Sequence, residues 1–131
     1  MHLTIVGCGF VGLALAHQLQ TERTQLCLTL TTTREERLSE LQPLADRVSI
    51  CDATDAISLK QALCDAEIAV FCLGPKGNSQ VNEDGYRNTF VDSFHCLIGL
   101  LPQLPHLRQI IYTSSCSVYG DAQGEWVNES T

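Results

Sequence analysis

Leu3-Thr4-Ile5-Val6-Gly7-Cys8-Gly9-Phe10-Val11-Gly12 is a short β-branched apolar run that ends in glycine and passes almost at once into an apolar helical pattern. Gly7, Gly9 and Gly12 stand in G-x-G-x-x-G spacing, and each has a separate physical task. Gly7 permits the tight turn out of the strand. Gly9, lacking a Cβ, lets a pyrophosphate come close to the backbone. Gly12 lets the new helix pack tightly on the sheet. The opening helix residues Phe10 and Val11 belong to the same turn, where free N–H groups and the positive end of the helix dipole favour phosphate. A glycine triplet alone is a weak signal. Between a strand and a helix, at the head of an alternating chain, it points to a dinucleotide site.

The chain beyond this stretch keeps alternating. His2 to Val6 is the first strand, and Val11, Leu15 and Leu19 mark the buried face of the helix after it. Gln25 to Leu30 reads as a second strand. Thr33 and Glu36 then have capping-box spacing for a short helix that carries Leu38 and Leu41 and stops by Pro43. Arg47 to Cys51 is a third strand, and Ile57 to Cys64 a brief helix. Ile68 to Leu73 has the unbroken hydrophobicity of a strand buried on both faces of a parallel sheet. Gly74-Pro75-Lys76-Gly77-Asn78 breaks it. Tyr86, Phe90, Phe94, Leu97 and Leu101 form a helical stripe expected to face the sheet, and Pro102 and Pro105 end that helix. Gln109 to Thr113 is the fifth strand.

These elements predict an α/β protein: a three-layer Rossmann fold, with a five-stranded parallel sheet in order 3-2-1-4-5 and helices on both faces. Residues 1–120 form the nucleotide-binding domain in this reading, and 121–131 are a polar tail. A ligand belongs at the carboxyl ends of the strands, in the crevice between the first and fourth.

Bulk properties narrow the function classes. At 131 residues the chain holds one domain with a real core. A net charge of −7, with Lys60 and Lys76 as its lysines, argues against nucleic acid, which requires clustered cations. The apolar runs are too short to span a bilayer, and no signal peptide is visible. Seven cysteines make an odd count without C-x-x-C spacing, and Cys27, Cys51, Cys72 and Cys116 fall in or beside strands as small hydrophobes. The histidines lack ligand-like spacing, so no metal site is expected. A reducing cytoplasm is the natural location.

The strand ends carry the chemistry. An NAD site commonly places a carboxylate about 20 residues after the glycines, to bind the ribose 2′-hydroxyl. Here that place holds Thr32, Thr33 and Arg34, whose hydroxyls and guanidinium suit a 2′-phosphate. The expected cofactor is therefore NADP, with NAD the alternative. Arg34 could equally be a solvated residue, and Glu35 or Glu36 could pair with it or reach a ribose. Asp52, followed by Ala53, could accept from an adenine amino group or simply shape its loop. Leu73, Gly74 and Pro75 put bare backbone where a cofactor would pass, or make an ordinary Gly-Pro turn.

At the fifth strand end, Thr113-Ser114-Ser115-Cys116-Ser117-Val118-Tyr119-Gly120 sets hydroxyls where burial would be costly unless they face a polar site. This run, with the glycine fingerprint, resembles the extended short-chain dehydrogenase/reductase family, and within it the NAD-dependent epimerase/dehydratase group. The resemblance covers nearly the whole chain. It implies that Ser115 hydrogen-bonds the reacting hydroxyl or carbonyl. It also implies a catalytic Tyr-x-x-x-Lys further on, which this chain lacks: Tyr86, Tyr112 and Tyr119 have no lysine four residues later. The family's C-terminal substrate-binding part is absent as well. Two readings follow. One is the cofactor-binding part of an NAD(P)-dependent oxidoreductase or epimerase, truncated before its catalytic pair and inactive alone. The other is a stand-alone nucleotide-binding or interaction module. Neither a Walker A motif nor a Gly-x-Ser-x-Gly elbow is present. A small-molecule substrate belongs to the full-length context, and the open edge of the fifth strand, with Ile110 and Ile111, invites a homo-oligomer. The tail around Trp126 would fold over that seam, or instead cover the edge within one chain.

Overall fold

The computed structural model describes residues 1–22, 25–75 and 82–131. The break expected at Lys76, Gly77 and Asn78 lies outside the described residues. Five parallel strands form one sheet: β1 (His2–Val6), β2 (Cys27–Thr32), β3 (Arg47–Ile50), β4 (Ile68–Phe71) and β5 (Gln109–Tyr112). Their spatial order is β3-β2-β1-β4-β5, as the alternating pattern predicts. Register is set by side-chain alternation. Ile5 pairs with Leu30 on one side and Val70 on the other, so one row of apolar side chains crosses three strands.

The two faces of the sheet carry two separate cores. On one face Ile5, Leu28, Leu30, Val70 and Cys72 pack with Ala16 of α1 (Phe10–Glu22) and Leu41 of α2 (Leu38–Leu41). On the other, Val6, Ala69 and Phe71 pack with Leu59 and Leu63 of α3 (Ala56–Leu63) and with Leu97 and Leu100 from the helix before β5. Leu59 and Leu63 are fully buried, and each such side chain contributes about 1.5–3 kcal/mol by transfer from water. Helices on both faces give the three-layer arrangement. Thr4, though polar, is buried at no loss, because its hydroxyl donates to the Ala62 carbonyl at 3.2 Å.

Several local expectations are revised. In α1 the buried face runs through Gly12 and Ala16, while Val11 is half exposed. β2 is displaced two residues from the expected Gln25–Leu30 to Cys27–Thr32, because β3 supplies backbone partners at Thr31 and Thr32. The Thr33–Glu36 capping box does not form. Glu35–Arg37 is a single 3₁₀ turn with no side-chain cap, and the Thr32 hydroxyl accepts the Arg34 N–H instead. Cys116 is exposed in a 3₁₀ turn, not packed as a small hydrophobe.

The helix before β5 departs most. It comprises α4 (Glu83–Tyr86), a π-helical segment (Arg87–Asp92), α5 (Ser93–Leu100) and a 3₁₀ turn (Leu101–Gln103). A π turn holds more residues than an α turn, so everything beyond it is rotated about the axis. Ser93, Leu97 and Leu100 therefore face the sheet, whereas Phe94 and Leu101 of the expected stripe are exposed with Val91 and Ile98. After Gly120 there is neither helix nor strand among the described residues. Trp126 is fully exposed, and Ile110 and Ile111 on the β5 edge remain partly open to solvent.

Candidate functional site

A cleft of about 610 Å³ opens at the carboxyl ends of the strands, where the order reverses between β1 and β4. Its floor is the turn after β1. Gly7 has φ +90°, and its backbone N–H donates to the Thr31 hydroxyl at 3.1 Å. The Cys8 N–H then donates to the Thr31 carbonyl at 3.2 Å. Leu13 is the first residue of α1 whose N–H reaches an intrahelical carbonyl, that of Gly9 at 2.9 Å. Phe10, Val11 and Gly12 precede it, with donors that the helix cannot satisfy. Gly9 lines the cleft, and a Cβ built on it would meet nothing within 4 Å. Gly12 does not line the cleft. It is pressed on the turn, where a Cβ would fall 2.6 Å from the Gly7 carbonyl oxygen. Phe10 and Val11 carry exposed side chains outside the cleft lining, leaving their backbone as what they can offer a ligand.

The end of β2 supplies one wall: Thr31, Thr32, Thr33, Arg34 and Arg37. Arg34 is mostly exposed, and its Nε lies 3.9 Å from Glu36 Oε1, a loose surface pair. Arg37 is held far more firmly. Its Nε is 3.2 Å from Glu40 Oε2, and its Nη1 donates to the Cys8 carbonyl at 2.5 Å. Asp52 is the acidic residue lining the cleft among the described residues. Its Oδ1 accepts from the Thr54 N–H at 2.9 Å and the Thr54 hydroxyl at 2.7 Å, so the loop-forming role expected for it is present. Ala53, Leu73, Gly74 and Pro75 complete the parts foreseen in the sequence.

Ser115 sits beyond the end of β5, exposed and outside the cleft lining. It caps the 3₁₀ turn Cys116–Tyr119, its Oγ accepting the Ser117 N–H at 3.1 Å. The Ser115 and Ser117 hydroxyls are 2.5 Å apart, and either can donate to the other. Thr113 is tied inward, its hydroxyl donating to the Phe71 carbonyl at 3.1 Å.

Sequence reasoning missed Arg37, Asn88, Thr89 and Ser93, all of which line the cleft. Arg37 stands three residues after Arg34, but that spacing does not by itself bring it to the cleft. Asn88 and Thr89 lie in the π-helical segment, which nothing in the pattern announces. Three thiols also face the cleft. Burial pushes Cys8 and Cys72 above the ordinary thiol value, with the Arg37 charge opposing the rise at Cys8. Burial takes Cys51 up to about 11. These are inert thiols at neutral pH. Among the described residues, no group of three His, Cys, Asp or Glu is placed to hold a metal ion, and no helix is long and apolar enough to cross a membrane.

Comparison with known proteins agrees with the fold. Protein YeeZ of Escherichia coli K12 is 34% identical over 138 aligned positions, covering 98% of this chain. The chain spans 45% of that relative's length. Among solved structures, the ADP-L-glycero-D-manno-heptose-6-epimerase of Helicobacter pylori shares the fold with a TM-score of 0.78 at 19% identity, over 98% of this chain and 43% of that one. A short-chain dehydrogenase/reductase superfamily protein from Agrobacterium tumefaciens, solved with bound NAD, has a TM-score of 0.70 at 16% identity, over 92% of this chain and 34% of that one. Residues 3–131 match the NAD dependent epimerase/dehydratase family, and the chain belongs to it.

Proposed function

We propose that this chain is the dinucleotide-binding part of an NADP(H)-dependent oxidoreductase or epimerase, and that it binds cofactor without turning substrate over by itself. The observation that carries the reading is the bare backbone of Gly9 at the floor of a cleft whose β2 wall presents hydroxyls and the exposed Arg34 guanidinium. Gly9, Phe10 and Val11 would receive the pyrophosphate on their N–H groups. Thr32, Thr33 and Arg34 would hold the adenosine ribose and its 2′-phosphate. No carboxylate at the end of β2 lines the cleft among the described residues, which favours a 2′-phosphate over a free 2′-hydroxyl. Asp52 and Ala53 flank the adenine, and Leu73 to Pro75 border the path toward the nicotinamide.

Bound nicotinamide would supply hydride transfer. For its part, Ser115 would hydrogen-bond the reacting oxygen, its Oγ held by the Ser117 N–H. A proton-transferring Tyr–Lys pair is absent from these 131 residues, so binding without reaction is the expected behaviour. The buried, unpaired thiols suit a reducing cytoplasm.

Titration calorimetry with NADP and NAD tests the reading. NADP is expected to bind more tightly, and Arg34→Ala to remove that preference at a cost of about 1.5–3 kcal/mol. Equal affinities in the parent chain, or a preference that survives Arg34→Ala, would exclude the Arg34 assignment. Sustained NADPH oxidation with a carbonyl substrate, abolished by Ser115→Ala, would exclude the non-catalytic reading.

A further inference from the structure

We infer that Arg37 is a positioning residue for the cofactor pyrophosphate, acting through the glycine turn and not on the nucleotide itself; this rests on the dinucleotide reading above. The turn after β1 is bonded at three points to the end of β2 and the 3₁₀ turn beyond it. Gly7 N–H meets the Thr31 hydroxyl, Cys8 N–H meets the Thr31 carbonyl, and the Cys8 carbonyl accepts from Arg37 Nη1. The first two are neutral bonds from the turn to Thr31 near the end of β2. The third is charge-assisted and joins positions 29 residues apart in sequence.

That third bond sets the orientation of one peptide group. Every peptide among the described residues is trans, and in a planar trans amide the N–H points opposite to the C=O. Fixing the Cys8 carbonyl on the guanidinium therefore turns the Gly9 N–H away from it. The same bond polarises the amide, making that N–H a stronger donor to an anion. Arg37 is itself restrained, only 17% exposed, with Nε on Glu40 Oε2 at 3.2 Å and Nη2 on Glu40 Oε1 at 3.5 Å. With one edge on Glu40 and one nitrogen on Cys8, the guanidinium is committed to the protein. Arg34, by contrast, is loosely paired and exposed, and so is the arginine available to a ligand. The two arginines thus divide the work: Arg34 reads the ribose, Arg37 shapes the turn.

The test is titration of the full chain and its Arg37→Ala and Arg37→Lys variants with NAD, NADP and adenosine, alongside thermal melts. Arg37→Ala is expected to weaken NAD and NADP by the same factor, about tenfold or more. Adenosine, which has no pyrophosphate, should bind unchanged. Arg37→Lys retains a cationic donor and should recover part of the loss even if the alanine variant folds poorly. A loss confined to NADP would make Arg37 a 2′-phosphate contact and overturn the inference. Adenosine weakened equally, with a lowered melting temperature, would leave only a structural strut and overturn it too. Unchanged affinities would do the same. If the parent chain binds adenosine but neither dinucleotide, the dinucleotide reading itself fails, and this inference falls with it.

Discussion

Gly7 lies so close to Cys72 that a Cβ on Gly7 would fall 2.9 Å from the Cys72 carbonyl oxygen. The contact is between the end of β1 and the residue after β4, where the Cys72 N–H also donates to the Val6 carbonyl at 2.9 Å. It is therefore a backbone-on-backbone approach that cannot relax by moving a side chain. With φ at +90°, Gly7 also occupies a region that L side chains avoid.

The three glycines of the turn are expected to separate by mechanism. Gly7→Ala should destabilise the fold by about 2 kcal/mol or more, from strain and overpacking together. Gly12→Ala should do likewise, its Cβ meeting the Gly7 carbonyl oxygen at 2.6 Å and Ile5 Cγ2 at 3.1 Å. Gly9→Ala should cost about 1 kcal/mol or less, because its Cβ enters open space. That space is where the pyrophosphate is proposed to lie, so Gly9→Ala should lose nucleotide affinity while keeping its fold. Urea melts and titrations on the same three variants check both halves.

Asp55 caps α3, its carboxylate accepting the Ser58 N–H at 3.1 Å. Asp55→Ala should lower stability by about 1 kcal/mol, and Asp55→Asn by less. Denaturant midpoints measure this. An Asp55→Ala variant as stable as the parent would show that α3 is held by the packing of Leu59, Ala62 and Leu63 without help from the cap.

Cys51 gives the protein an alkaline limit. Burial holds its folded pKa at about 11, above the ordinary thiol value of 9.0. A raised folded pKa contributes stability that is complete below the unfolded value and is lost as pH rises through the folded one. Melting temperature should therefore fall between about pH 9 and pH 11, and Cys51→Ala should flatten that fall. An unaltered slope in Cys51→Ala would assign the alkaline loss to other groups.

The sequence shows what apolar periodicity and glycine spacing encode, and not what a change of helix type or a contact between distant turns decides. The strand order followed from the glycine turn and from runs such as Ile68 to Phe71, whose apolar residues are continuous because both faces are covered. The cleft walls at Thr32 to Arg34 and Leu73 to Pro75 were legible because strand ends are where such a sheet binds ligands. The phase of α5 was not legible, because the π-helical segment shifts Phe94 and Leu101 outward without any proline or glycine to mark it. Arg37 was missed for another reason. It meets the Cys8 carbonyl across 29 residues of sequence, and spacing along one segment says nothing of a contact between distant turns.

The β5 edge carries the chain's proposed self-association. Ile110 is 37% exposed and Ile111 44%, and the tail leaves both uncovered, with Trp126 itself in solvent. Light scattering at micromolar concentration should find a dimer or larger species for these 131 residues, dissociated by Ile110→Lys. A clean monomer would contradict this proposal.

The central claim is that a dinucleotide lies across the carboxyl ends of β1, β2 and β4. Amide chemical-shift mapping on the 14.4 kDa chain tests it most directly. Adding NADP should shift the amides of Gly9 to Gly12, Thr32 to Arg34 and Leu73 to Gly74 together, saturably and with one midpoint. NAD should shift the same glycines at higher concentration. An absence of saturable shifts, or shifts confined to the opposite end of the sheet around His2 and Glu67, would contradict the account.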